Sequence, residues 1–177
     1  NVEYETAFRH AETLELDAWG GFRGSLPFAE GVTWDLGAWG YTWPGQKTDI
    51  DFVEVYAGLG YDFGIASVKG KIYYSPDTYN SPTEEDSQYY TGDVSIPLPK
   101  GLSLGLHVGR WEIDNNTFVG YPDYTDWKVG INVPFILGLN VELAYIDTDV
   151  DETPAAGKVG CGLDCDARFY TFVSKTF

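Results

Sequence analysis

Hydrophobic and polar residues alternate along most of the chain. In VEVYAGLGYDF (residues 53–63), Val53, Val55 and Leu59 fall on one side of an extended chain, and Glu54 and Asp62 fall on the other. Side chains of a strand point alternately to its two faces, so this period of two predicts β-strands. No convincing amphipathic helix interrupts the pattern. About ten strands are predicted, at residues 2–8, 13–23, 31–43, 50–63, 65–75, 86–98, 102–111, 124–133, 139–148 and 167–177.

The connections between the predicted strands alternate in length. Tight turns at 63–64, 99–101 and 134–138 alternate with long polar links at 75–88, 112–123 and 147–166. Short turns on one rim and long loops on the other are typical of outer-membrane barrels, whose strands need roughly 9–11 residues to cross the bilayer. The pattern therefore predicts an all-β fold, an antiparallel up-and-down transmembrane β-barrel, as a single domain over residues 1–177.

The two faces of the predicted strands differ in a way that indicates which one looks inward. One face is a band of Leu, Val, Ile and Ala flanked by aromatics, and the other mixes acids, bases and glycines. Glycine on a solvated face only weakens a strand, whereas inside a narrow barrel it leaves room for a neighbouring Tyr or Trp. We therefore expect the polar faces to line a lumen; the reverse orientation, a soluble sandwich or barrel, stays open. The predicted lumen-lining residues are Glu54, Asp62, Lys69, Lys71, His107, Asp126, Lys128 and Glu142.

Composition narrows the classes of partner and of membrane attachment. The chain has 27 acidic and 11 basic residues, a formal net charge of −16. That balance argues against nucleic acid and against electrostatic docking on anionic lipid headgroups. No run approaches the roughly 18 apolar residues of a membrane-spanning helix, although barrels hide their hydrophobicity in alternation. The start at Asn1, without Met or a signal core, leads us to expect a processed or truncated product.

The end of the chain and four internal stretches resemble bacterial outer-membrane proteins. A final aromatic, Phe177, on an amphipathic last strand resembles the signal by which such proteins are handed to their insertion machinery; Lys175 departs from it. In order and spacing, EVYAGLGYDFG…KGKIYYSPD, PLPKGLSLGLHVGR, YTDWKVGINV and CGLDCDARFYTFVSKTF resemble the TorF-type porins of proteobacteria. This resemblance implies an outer-membrane β-barrel with passive transport. Members of that family usually carry a further hairpin ahead of Asn1, which implies about twelve strands in an intact barrel.

Candidate chemistry is sparse. Cys161 and Cys165 are too few for a zinc site and predict a disulfide in an oxidising compartment. Acidic loops around Asp149 and Glu85 would either bind Ca²⁺ beside lipopolysaccharide or remain solvated, and they lack EF-hand spacing.

Ser103 lies four strand residues from His107, about 13 Å, too far for a nucleophile–base hydrogen bond. No catalytic residue, metal site or cofactor is predicted, and the chain is expected not to be an enzyme.

The sequence therefore predicts a bacterial outer-membrane barrel that allows passive or weakly selective diffusion of small solutes. One alternative is a non-conducting structural or interaction barrel that acts through its extracellular loops. Another is a soluble β-barrel that binds an apolar ligand. The expected partners are the bilayer with its lipopolysaccharide, the outer-membrane insertion machinery, and further copies of the chain or a larger envelope complex.

Overall fold

The computed structural model describes residues 2–3, 13–45, 51–78, 85–114, 123–150 and 165–175. Within these residues the chain is all-β, with two 3₁₀ segments at Pro99–Gly101 and Ile136–Gly138. None of the helical segments described is long and apolar enough to cross a membrane. The strands are β1 (Val2–Glu3), β2 (Thr13–Leu14), β3 (Leu16–Ser25), β4 (Val32–Thr42), β5 (Phe52–Asp62), β6 (Ser67–Ser75), β7 (Ser87–Pro97), β8 (Ser103–Ile113), β9 (Tyr124–Pro134), β10 (Leu139–Thr148) and β11 (Arg168–Lys175).

Nine strands, β3 to β11, form one antiparallel sheet in which each strand pairs with its sequence neighbours. The predicted all-β, antiparallel up-and-down order is thus confirmed for this sheet. Its edges are β3 and β11, and no pairing joins them in the described part of the chain, so closure into a barrel stays a prediction. Because successive strands reverse direction, β3 and β11 run the same way. An all-antiparallel ring therefore needs another strand between them.

Short turns and longer connections alternate along the sheet, as the sequence predicts. The short turns are residues 26–31, 63–66, 98–102 and 135–138, and the longer connections are 43–51, 76–86, 114–123 and 149–167. In two short turns a pair of consecutive residues has positive φ, Lys100 with Gly101 and Leu137 with Gly138. Such pairs match the twist of the flanking strands. All short turns lie at one end of the sheet, the short-turn end, and the others lie at the long-loop end.

The two faces of the nine-stranded sheet differ in polarity and exposure. On β5, the side of Leu59 is open, with Leu59 itself 61% exposed, whereas the side of Tyr56 is covered, with Tyr56 only 8% exposed. Cross-strand pairing extends these sides over the sheet. The outer face carries Leu36, Leu59, Val108, Val129 and Leu143, and the inner face carries Asp35, Tyr56, Asp93, His107 and Lys128. Apolar side chains are thus exposed on the outer face and charged ones lie on the more covered face, while the prediction that this covered face lines a lumen stays a prediction.

The ends of the chain are described less fully than its middle. Of the strand predicted at 2–8, only Val2–Glu3 is described, and Val2 pairs opposite Leu14. Glu15 separates β2 from β3, which divides the strand predicted at 13–23. Phe177 lies outside the described residues, so its role as an insertion signal stays a prediction.

Candidate functional site on the inner face

One group of polar contacts on the inner face forms across a glycine of β5. Gly58 on β5 lies in register between Asp35 on β4 and Lys71 on β6. Because Gly58 has no side chain, Lys71 Nζ reaches across β5 to Asp35 Oδ2, at 3.0 Å. A Cβ atom at Gly58 would lie 2.7 Å from Lys71 Cγ, closer than such carbons normally approach. Glycine here makes room for a contact between strands that are not neighbours.

Asp35, Lys69, Lys71 and Tyr56 form a group that we name the lysine cluster. Lys69 Nζ lies 2.8 Å from the same Asp35 Oδ2, so two ammonium groups share one carboxylate oxygen. Lys71 Nζ also lies 4.3 Å from the centre of the Tyr56 ring, a cation–π distance. The Tyr56 ring covers Gly37, where a Cβ would lie 2.6 Å from the Tyr56 hydroxyl. The prediction that inner-face glycines make room for aromatic side chains is confirmed there.

Tyr89, Asp93, His107 and Asp126 form a second group, the histidine cluster. His107 Nδ1 lies 2.7 Å from Asp93 Oδ1, and its Nε2 lies 3.1 Å from Asp126 Oδ1. The Tyr89 hydroxyl donates to Asp126 Oδ2 at 2.8 Å, over Gly109 of the intervening strand β8. Only the doubly protonated ring donates from both nitrogens. In that form the ring has no lone pair left to take a proton from a nucleophile.

A third contact group joins β9, β10 and β11. Lys128 Nζ lies 2.9 Å from Glu142 Oε1, and the Tyr170 hydroxyl donates to Glu142 Oε2 at 3.0 Å. The inner face therefore carries three separate groups in which acids and bases from different strands meet. The acids and bases that the sequence places together on the polar face are thus paired across strands.

A row of aromatic side chains crosses the inner face. On β5 it passes through Tyr56, two residues nearer the long-loop end than Gly58. Strand pairing aligns Tyr56, Tyr73, Tyr89, Trp111 and Tyr124 on β5 to β9. Ring centres lie 5.4 Å apart for Tyr56–Tyr73, 6.0 Å for Tyr73–Tyr89 and 5.5 Å for Trp111–Tyr124. Sequence reasoning missed this row because its members are far apart in the chain. Aligning the predicted strands through their short turns would have found it.

Acids at the long-loop end of β4 and β5 are held by hydrogen bonds. The Tyr41 hydroxyl donates to Glu54 Oε2 at 2.9 Å. Asp51, just before β5, accepts from the Thr42 hydroxyl at 2.6 Å and from the Trp43 backbone N–H at 2.9 Å. These two hydrogen bonds hold the pKa of Asp51 below its usual value. The carboxylates thus fix the place where the two strands leave the sheet.

The structure brings together most of the residues predicted from sequence to line a lumen. By register all eight lie on the inner face, and seven take part in the contacts described above. Asp62 differs, because it is exposed at the short-turn end and accepts from Gly64 N at 2.8 Å. Asp93 was missed, although it binds His107 directly. Whether this face borders an open pore stays a prediction.

The remaining site predictions fall partly outside the described residues. Cys161 lies there, so its disulfide with Cys165 stays a prediction, and Cys165 O accepts from Thr148 Oγ1 at 3.4 Å. Of the acidic loops, Asp149 accepts from the Thr125 backbone N–H at 2.6 Å. Within the described ranges, no group of three or more His, Cys, Asp or Glu side chains is placed to hold a metal ion. Binding of Ca²⁺ by the loops stays a prediction.

Comparison with known proteins identifies a family whose function is unknown. Neither the curated proteins nor the solved structures gave a match. A family model described as a bacterial protein of unknown function (Gcw_chp) matches residues 1–177, which include every strand and cluster described above. The chain therefore belongs to the bacterial Gcw_chp family.

Proposed function

We propose that this chain forms an outer-membrane β-barrel through which small solutes diffuse passively. The observation that carries the proposal is the inverted polarity of the sheet. Leu59, Val108, Val129 and Leu143 are about half exposed on the outer face, while lysines, aspartates and His107 meet on the inner face. In water this arrangement exposes a continuous apolar band, which soluble monomers rarely tolerate. Hydrocarbon removes that cost, and a hydrated lumen would suit the charges.

Aromatic residues on the outer face support the same placement. Tyr61 and Phe63 lie towards the short-turn end, and Trp127 and Phe169 lie towards the long-loop end, all of them exposed. Tyr and Trp favour the two membrane–water interfaces because one side of the ring is apolar and the other polar. The resemblance to TorF-type porins, the predicted signal at Phe177 and the alternating connections agree with a bacterial outer-membrane location.

Ring closure is part of the proposal. Nine strands leave β3 and β11 running in the same direction, whereas bacterial barrels of one chain have an even number of strands. Val2 pairs opposite Leu14, at the edge next to β3. As the chain runs from Val2 to Glu3 the partner runs from Leu14 back to Thr13, so this pairing leads away from β3 and does not supply the strand missing between β3 and β11. The proposal is that one further strand there closes a ring of about ten. A barrel of that size is largely filled by its own side chains, so its conductance should be small.

The membrane placement is tested by adding charge to each face in turn. We expect Val129→Lys, at a position 46% exposed on the outer face, to lower the stability of vesicle-refolded protein by about 2–4 kcal/mol. Ser95→Lys is the matched control, because Ser95 is exposed on the inner face opposite Gly105, and it should cost below about 1 kcal/mol. Urea unfolding in vesicles measures both. Equal, small effects would contradict the proposal, since a soluble sheet tolerates lysine at an exposed valine.

A second candidate, the non-conducting barrel, is favoured by the aromatic row. Five aromatic side chains aligned by strand pairing, with three charge clusters beside them, would narrow a lumen at this level of the sheet. Planar-bilayer recording separates the two: reproducible current steps from pure refolded protein support diffusion, and their absence supports the plugged barrel. The soluble apolar-ligand barrel finds no support, because the covered face is charged.

A further inference from the structure

A polar cavity of about 370 Å³ opens between β3, β4, β5 and β6. Its lining includes Arg23, Ser25, Thr33, Asp35 and Lys69, together with the side-chain-free backbone of Gly58 and Gly60. All of these lie on the inner face. The glycines matter because a Cβ at Gly60 would lie 2.8 Å from Thr33 Oγ1 and close the space between them.

Positive charge is in excess around this cavity. Lys69 and Lys71 both bind one oxygen of Asp35, so a single carboxylate neutralises only one of the two ammonium groups. Arg23 lies directly opposite Asp35 in the β3–β4 pairing, yet it forms no ion pair within the described residues. On β3 to β6 these three cations therefore meet one acid, Asp35, while Asp93, opposite Lys69 on β7, is bound to His107. This local excess of positive charge occurs in a chain whose net charge is −16.

The donors of the cavity suit an oxyanion. The Arg23 guanidinium offers a planar fork of N–H groups that matches carboxylate or phosphate oxygens, and Lys69 offers a point charge. The hydroxyls of Ser25 and Thr33 lie on the same face and add neutral donors. We infer that this cavity is a binding site for a small anion with a carboxylate or phosphate group. The inference rests on the proposed function, since the anion would reach the site through the lumen.

Binding by the folded protein in detergent tests the site without requiring conduction. Inorganic phosphate and succinate are titrated separately by calorimetry, which distinguishes the two kinds of oxyanion. We expect Arg23→Gln and Lys69→Gln each to weaken binding by about tenfold, as loss of a charge-assisted hydrogen bond would. Arg23→Lys should recover part of that loss because the charge remains. Affinity should also fall as NaCl is added.

Lys128→Gln is the matched control, because it removes one inner-face positive charge that lies on β9 and is bound to Glu142. It should change anion affinity less than about twofold. Equal weakening by Lys128→Gln and Arg23→Gln would overturn the site and leave only a general charge effect. Absence of binding by either anion at millimolar concentration would also overturn it.

Reversal potentials across a KCl gradient separate this inference from the proposed function. In a conducting protein, Arg23→Gln with Lys69→Gln should shift ion preference towards cations, and Lys128→Gln should shift it less. Anion binding without any conductance would leave the site standing and refute the diffusion proposal. Conductance without anion binding would refute the site and leave diffusion standing.

Discussion

The lysine cluster and the histidine cluster both pair acids with bases across three strands, but in opposite proportions. Each joins three strands across a glycine of the central strand, Gly58 in one and Gly109 in the other. In the lysine cluster two bases share one acid, and in the histidine cluster two acids share one base, His107. Each cluster therefore has an excess of one sign of charge, positive in the lysine cluster and negative in the histidine cluster.

The clusters differ in how many cations bind each acid. Asp35 keeps a charged partner if either lysine is lost, whereas His107 is the one cation that contacts Asp93 and Asp126 among the described ion pairs, and without it Asp126 would keep the neutral Tyr89 hydroxyl. Lysine also has a long flexible stem that can move aside, while the Tyr89 ring is fixed by hydrogen bonds at its hydroxyl. We therefore expect the lysine cluster to tolerate change and to be available for ligands, and the histidine cluster to act as a rigid element of the sheet.

The strongest test of this difference in rigidity is to replace the central glycine of each cluster, Gly58 or Gly109, with alanine. A Cβ at Gly109 would clash with the Tyr89 hydroxyl and Asp126 Oδ2 and would lie 2.6 Å from Tyr89 Cε2, so Gly109→Ala should destabilise the protein by about 3 kcal/mol. A Cβ at Gly58 would lie 2.7 Å from Lys71 Cγ, which a change of the lysine rotamer relieves, and 3.2 Å from the Gly70 backbone oxygen, which is only slightly short, so Gly58→Ala should cost about 1 kcal/mol. Urea unfolding in detergent micelles measures both.

Gly92→Ala on the outer face controls for the change of residue type, because its Cβ would meet Val108 Cγ1 at an ordinary 3.6 Å. It should be close to neutral. If Gly58→Ala proved as costly as Gly109→Ala, the two clusters would be equally rigid and the distinction would fail.

A smaller effect is expected from removing one base from each cluster. His107→Gln leaves two carboxylates near each other without their shared cationic donor and should cost about 2 kcal/mol. Lys69→Gln should cost about 0.5 kcal/mol, because Lys71 stays on Asp35. Unfolding midpoints compared in one detergent give the difference. A Lys69→Gln cost equal to that of His107→Gln would show that the two lysines are not redundant.

The sequence predicts the faces of the strands well and their partners poorly. Alternation places His107 and Asp126 on polar faces because the period of two is a local property of each strand. It does not pair His107 with Asp93, since that contact depends on the register of β7 with β8, which the turn at 98–102 fixes. Closure of the ring is harder still, because it depends on the two sheet edges rather than on any one strand.

The smallest expected effect tests whether the two lysines differ in their contact with Tyr56. Lys71 is 16% exposed and lies over the Tyr56 ring, while Lys69 is 41% exposed and contacts Asp35 alone among the lysine cluster. A double-mutant cycle of Lys71→Met with Tyr56→Leu should give a coupling of about 1 kcal/mol, as expected of a partly desolvated cation–π pair. The same cycle with Lys69→Met should give below about 0.3 kcal/mol, the range of independent sites. Equal couplings would mean that Asp35, and not the ring, transmits the effect, because both lysines bind that carboxylate.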